Sequence, residues 1–453
     1  MRLNLHPMQP FLLSVGRHDL LDLTSLESPP NTAGGGAPFS GGAAPSHFAP
    51  CSTEDMTLPN SFPRLSRTVA LASVMAGTCL ALIPQLAAAQ VPPPAVNARS
   101  WVLIDATSNQ VLASGNPAER VEPASLTKLM TAYLVFGALA DKKISMDQIV
   151  MPSEAVRRVG TDESRMFIEA NKPVTVHDLV YGMIIQSGND AAIALAELVG
   201  GSEANFVTMM NAAAQKMGMA QTHFADENGM PDPQHYTSAG DLGVLSARLI
   251  RDFPQYYGIF SIKEFMYNKI KQPNRNRLLW IDPTVDGLKT GHTEAAGYCL
   301  IASAKRPAAE GTTRRLVTVM MGETKEHDRV QDSLKMLDYG YQAYEVVRLF
   351  HAGQAVSTPR IYKGTATQVK VGVQADQFVT MPRGSANNFK TTVTLNEPLI
   401  APLALGQQVG VATELAADGK NITSVPVVAL VAVPEAGVLG RMWDSLLLSF
   451  QKK

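Results

Sequence analysis

The sequence predicts an α+β unit over residues 90–351, a small all-β module of sandwich type over 352–433, and an amphipathic helix over 434–453. Three observations lead there. Up to about residue 350, strand-like and helical stretches interleave without the regular alternation of a parallel sheet. Short apolar runs follow at 367–373, 377–382, 390–396, 407–413 and 425–432, separated by Gly, Asn, Asp and Pro. At the end of the chain Val438, Leu439, Met442, Trp443, Leu446, Leu447 and Phe450 recur at helical spacing and share one face.

Within the α+β unit, residues 99–106 and 110–114 read as strands of a hairpin around Thr107-Ser108-Asn109. Pro123 introduces a helix that runs through Ala140, with Ser125 and Lys128 in its first turns. Helices are expected at 176–185, at 190–199, at 203–217 between the cap Ser202 and the stop Gly218, and at 238–252 before Pro254. Strands are expected at 285–290, 297–304 and 315–322, then a helix at about 328–348.

The stretch before residue 90 reads differently. Arg64 and Arg67 precede an apolar run from Val69 to Ile83, followed by Ala87-Ala88-Ala89. A basic start, a short apolar core and small residues form the pattern of a secretory signal peptide over 56–89, cleaved after Ala89. The run is shorter than a span needs, and Pro84 ends it. Residues 1–55, rich in Pro, Gly and Ser, read as an upstream or disordered segment, with translation expected to start at Met56. The whole chain has 39 Lys+Arg and 40 Asp+Glu. Four of those bases and five of those acids lie in 1–89, leaving 35 of each, so no nucleic-acid partner is expected. Cys51 and Cys79 fall in the leader, and Cys299 lies in an apolar strand-like run, so no disulfide is expected. Histidines, cysteines and acids show no metal-ligand spacing, and neither metal nor cofactor is expected.

Three motifs carry the chemistry: Ser125-Leu126-Thr127-Lys128, Ser187-Gly188-Asn189 and Lys289-Thr290-Gly291. Residues three apart on a helix share a face, so Lys128 can take the proton that makes Ser125 nucleophilic. That requires a neutral amine, a pKa depressed by roughly three units, and burial supplies the shift. Ser187, in a turn between apolar helices, can relay a proton to a leaving amine, while Asn189 can hold a substrate carbonyl and also touch Lys128. Lys289 and Thr290 at a strand edge can bind a carboxylate, and Gly291 leaves room for a substrate backbone to add alongside. Each motif alone is common, but the ordered set describes a serine acyl-transfer site with a lysine base.

The wider segments resemble those of D-alanyl-D-alanine carboxypeptidases, the low-molecular-mass penicillin-binding proteins. They are Glu122-Pro123-Ala124-Ser125-Leu126-Thr127-Lys128-Leu129-Met130-Thr131, Gln186-Ser187-Gly188-Asn189-Asp190-Ala191 and Asp286-Gly287-Leu288-Lys289-Thr290-Gly291-His292-Thr293. The resemblance covers about 95–350 and continues more weakly through the β module and terminal helix. It implies the penicillin-binding/β-lactamase-like transpeptidase fold, an antiparallel sheet flanked by helices. It also implies removal of the terminal D-alanine from peptidoglycan pentapeptide stems through an acyl-enzyme, with β-lactams as covalent inhibitors. In that scheme Ser125, Lys128, Ser187 and Asn189 are catalytic. The backbone of His292 joins that of Ser125 around the oxyanion, Lys289, Thr290 and Gly291 hold substrate, and Arg329 assists with its carboxylate. The helix would anchor the enzyme peripherally on the periplasmic face of the inner membrane. A β-lactamase, a D-alanyl endopeptidase and a non-catalytic peptidoglycan-binding scaffold remain as alternative readings of the same motifs.

Overall fold

The computed structural model describes residues 91–385, 389–416, 419 and 421–451. The expected upstream segment and signal peptide, with Cys51 and Cys79, lie outside the described residues.

A five-stranded antiparallel sheet organises the first part of the chain. Its strands are β1 (Ser100–Asp105), β2 (Gln110–Gly115), β3 (Val285–Thr293), β4 (Gly297–Pro307) and β5 (Thr313–Glu323), in the spatial order β2-β1-β5-β4-β3. Strand periodicity sorts the side chains onto two faces. Val102, Ile104, Ile301, Val317 and Val319 face one core, while Leu103, Leu300, Ala302, Leu316 and Met320 face the other. The larger core is closed by α1 (Lys128–Ala140), α2 (Val176–Tyr181), α3 (Asn189–Gly200), α4 (Glu203–Met217) and α5 (Ala239–Asp252). The smaller is covered by α6 (Glu326–Ala343) through Val330, Met336 and Leu337. Strand β3 is an edge strand and carries the Lys289-Thr290-Gly291 motif.

Caps set several helix starts where the sequence places them. Ser202 Oγ accepts from Asn205 N–H at 3.2 Å and Ser238 Oγ from Asp241 N–H at 3.1 Å, and α4 ends at Gly218 with φ +77°. Three expectations are corrected. The helix expected from Pro123 begins as a 3-10 turn over Ala124–Thr127, because Ala124 takes φ +48°; the α-helix starts only at Lys128. The helix expected over 176–185 leaves α geometry after Tyr181 and widens into a π-type turn over Gly182–Gln186. The helix expected over 328–348 runs from Glu326 to Ala343 and then yields to β6 (Tyr344–Phe350). This stretch pairs antiparallel with Gln377–Pro382 and buries Tyr344 and Phe350, which outweighs the helical reading. One hairpin, Glu264–Tyr267 with Ile270–Pro273, has no glycine signal; Asn268 and Lys269 both take positive φ to make its turn.

The β-rich part contains a second five-stranded sheet built from Ala355–Ser357, Val371–Gly372, Asn421–Ala429, Gln408–Ala416 and Phe389–Leu395. It shares a core of Phe350, Val371, Ala412, Val427 and neighbours with the short strand pair Ile361–Tyr362 and Leu399–Ile400. A buried ion pair stands where the two parts meet. Arg314 Nε donates to Asp105 Oδ2 at 2.6 Å, and Thr380 Oγ1 donates to the same oxygen at 2.7 Å. Arg314 Nη1 also donates to the carbonyls of Gly340 and Tyr344. Replacing Arg314 by Met leaves a buried carboxylate without its cation, and urea unfolding is expected to show a loss of about 3–5 kcal/mol. An unchanged unfolding midpoint would mean the pair is dispensable.

Helix α7 (Val438–Gln451) is tied down through Asp444, whose Oδ2 accepts from the Lys363 amide and whose other oxygen lies 3.7 Å from Arg360. Val438, Leu439, Met442, Trp443, Leu446 and Phe450 stay exposed, Leu439 at 84%. Among the described residues, no helix is long and apolar enough to cross a membrane.

Candidate active site

The 3-10 turn at Ala124–Thr127 brings residues i and i+3 nearly into register, which sets Lys128 Nζ 3.1 Å from Ser125 Oγ. The turn is held from outside by the 226–230 loop. Asp226 shapes that loop by accepting from the amides of Asn228 (2.9 Å), Gly229 (2.6 Å) and Met230 (3.1 Å). Gly229 has φ +91°, and a Cβ there would run into the carbonyl oxygen of Ala124, so only glycine allows this approach.

Lys128 is 1% exposed. Its Nζ meets Asn189 Oδ1 at 2.6 Å and the Asn228 carbonyl at 2.6 Å. Burial pulls its pKa down to about 7, with Asp226 and Glu227 opposing the shift and Arg275 adding to it. A lysine so placed is neutral often enough near neutral pH to act as a base. Glu227 is itself buried, and desolvation raises its pKa to about 7.

Across the cleft, Ser187 takes φ +68° at the end of the π-type turn, a strained backbone for a non-glycine residue. Its Oγ accepts from Lys289 Nζ at 2.8 Å, and Lys289 also donates to the Thr290 carbonyl at 3.0 Å. Asp190, the residue after the Ser187-Gly188-Asn189 motif, accepts from the amides of Met166, Phe167 and Ile168, so the 166–168 segment is pinned to this motif. Burial together with Lys128, Arg275 and Arg329 pushes the Lys289 pKa well below that of a free lysine. An anion entering here would offset that repulsion.

Arg329 is buried beneath β3 and donates to the carbonyl of Gly291 at 3.1 Å and to Glu326 at 3.1 Å. The His292 ring is exposed and stacks on Tyr298 at 4.1 Å between centroids. Cys299 is buried opposite Gly291 on β4, and desolvation raises its pKa to about 11. Ser125, Ser187, Asn189, Thr290, Gly291, His292 and Arg329 line one cleft of about 1080 Å³, with Lys128 and Lys289 bonded to its serines. All nine candidate residues therefore converge. Sequence reasoning missed the Asn228 carbonyl, Arg275 and Glu163, because each reaches the site through a loop contact far away in sequence; only the Asp226-x-x-Gly229 turn left a local trace.

Fold and site together define a serine-type acyl-transfer enzyme on an antiparallel sheet flanked by helices, with a buried lysine amine beside the serine hydroxyl. Residues 87–325 match the D-alanyl-D-alanine carboxypeptidase family, and residues 344–435 match the C-terminal domain of penicillin-binding protein 5. Haemophilus influenzae D-alanyl-D-alanine carboxypeptidase DacA is 42% identical over 364 residues, covering 79% of this chain and 91% of that protein. Escherichia coli DacC is 41% identical, covering 80% and 90%. The crystal structure of penicillin-binding protein 5 from Haemophilus influenzae superposes with a TM-score of 0.69 at 42% identity, over 76% of this chain and all of that one. The chain belongs to the D-alanyl-D-alanine carboxypeptidase family and is a hydrolase of that serine type.

Proposed function

We propose that Ser125 is the nucleophile and Lys128 the base of a D-Ala-D-Ala carboxypeptidase reaction on peptidoglycan stem peptides. The observation that carries this reading is the buried Lys128 amine, with its lowered pKa, 3.1 Å from Ser125 Oγ. Ser125 Oγ attacks the carbonyl carbon of the penultimate D-alanine while its proton passes to Lys128. The C–N bond to the terminal D-alanine then breaks, and the leaving amine takes a proton relayed through Ser187. Water hydrolyses the ester and restores the hydroxyl. The backbone N–H groups of Ser125 and His292 receive the oxyanion, donors that typically lower a barrier by about 3 kcal/mol each. Lys289, Thr290 and Arg329 favour a substrate ending in a free carboxylate, and the open edge of β3 lets its backbone add as a strand. A β-lactam acylates the same serine. Release of D-alanine from a tripeptide ending in D-Ala-D-Ala, by purified 90–453, tests the reading. An enzyme that cleaves only cross-linked peptides would overturn it in favour of an endopeptidase.

The location follows as part of the same proposal. Residues 56–89 direct export, 90–351 form the catalytic domain and 352–433 a supporting β-rich domain. Segment 434–453 lays its apolar face on the outer surface of the inner membrane. The exposed Leu439, Trp443 and Phe450 support this, since burying such side chains in the lipid interface is favourable. Deleting 434–453 is expected to move the protein from the membrane pellet to the supernatant with its peptidase activity intact. A truncated enzyme that still sediments with membranes would sink the anchor.

A further inference from the structure

A carboxylate that belongs to none of the three motifs reaches into the site. Glu163 lines the cleft with Ser125, and its Oε2 accepts from Asn189 Nδ2 at 2.5 Å. Its other oxygen accepts from the Gly160 amide at 2.9 Å, so the side chain is held at both ends. The loop bearing it is fastened to the second motif again, by Asn189 N–H donating to the Ser164 carbonyl at 2.8 Å. We propose that Glu163 is a positioning residue for acyl transfer, holding the Asn189 amide with its oxygen, not its nitrogen, toward Lys128.

The argument rests on donors and acceptors. An asparagine amide has two orientations of nearly equal shape. In the one present, Asn189 Oδ1 faces Lys128 Nζ at 2.6 Å and Nδ2 faces the carboxylate. The flipped amide would set its oxygen against a carboxylate that only accepts. While Lys128 is an ammonium it also opposes the flip, because it only donates. Once it becomes the neutral base, that control is lost. A neutral amine carries a lone pair, and a flipped Asn189 N–H would donate into it and occupy the site meant for the Ser125 proton. Glu163 keeps the orientation at the moment when the lysine itself no longer can. The other contact of Nδ2, Met230 Sδ at 3.6 Å, is a weak acceptor and no substitute. The groups that set the charge on Lys128 are Asp226 and Glu227 from one loop, Glu163 from another, and Arg275 and Lys289 from the opposite wall.

The inference rests on Ser125 and Lys128 being nucleophile and base. It is tested by the pH dependence of kcat/KM for the D-Ala-D-Ala tripeptide in Glu163→Ala and Glu163→Gln, beside Ser125→Ala. Competent sites are counted by covalent penicillin labelling carried to completion, which separates lost folding from lost chemistry. Per competent site, Glu163→Ala is expected to lose about 10- to 100-fold in kcat with KM little changed, the usual worth of a misdirected hydrogen bond to a charged group. Glu163→Gln can still accept from Nδ2 and should recover most of that loss. Because it removes a negative charge that favours the ammonium, its acid limb should move to lower pH. Wild-type kcat and acid limb in both variants would overturn the inference while Ser125→Ala stays inactive. An active Ser125→Ala would instead overturn the site assignment on which it rests.

Discussion

Ser125→Ala is expected to release no measurable D-alanine from a D-Ala-D-Ala tripeptide and to take no covalent label from penicillin. Removing the nucleophile of a serine hydrolase costs on the order of 10⁶ in kcat. The loss here should be as complete, because Ser125 shares one turn with Lys128, whose amine lies 3.1 Å from its hydroxyl; Ser187 is bonded to a second lysine of lowered pKa, Lys289, on the other wall. The two readouts separate the alternatives. Residual labelling would place the nucleophile at Ser187. Labelling of the unsubstituted enzyme without D-alanine release would point to an endopeptidase or a slow β-lactamase. The truncation is small and leaves the Lys128 bonds to Asn189 and the Asn228 carbonyl, so folding should survive.

Lys128→Arg is expected to cost about 10³-fold or more in kcat/KM and to erase the acid limb of the pH profile. With a pKa of about 7, Lys128 is roughly nine-tenths neutral at pH 8, against about 0.3% for a lysine at the ordinary value of 10.5. Burial thus raises the fraction of active base by about 300-fold, and an arginine, which does not deprotonate, forfeits it. The sign is set by which form reacts. The ammonium is inert and the amine is the base, so kcat/KM rises with pH through about 7 and levels off above. Glu227 titrates in the same range. In Glu227→Gln a nearby carboxylate that favours the ammonium is gone, so the limb should remain and move to lower pH. A limb that survives in Lys128→Arg but vanishes in Glu227→Gln would assign the base function elsewhere.

Much of this site was legible before any coordinates, and the reason is local. Ser125 and Lys128 belong to one turn, Ser187, Gly188 and Asn189 to another, and Lys289, Thr290 and Gly291 to one strand, so spacing alone sets each group's internal geometry. The helix over Glu203–Met217 was readable for the same reason, since its cap and its stop are single residues at its ends. Errors came where distant partners competed with local preference. Tyr344–Phe350 became a strand because Gln377–Pro382 offered it a ladder. The Pro123 helix opened as a 3-10 turn because Ala124 takes a positive φ, with the Gly229 loop lying close against its carbonyl.

By itself, the sequence determined the candidate groups, their order and the α+β and all-β fold classes, because hydroxyl, amine and amide chemistry and strand or helix periods are properties of short segments. Only the tertiary structure decided that the amine of Lys128 is buried with its pKa pulled down to about 7, that the Asn228 carbonyl bonds it while Glu163 bonds Asn189, and that β3 is left as an open edge. Desolvation, orientation and edge exposure depend on what packs against a residue from far along the chain, and no local pattern encodes that.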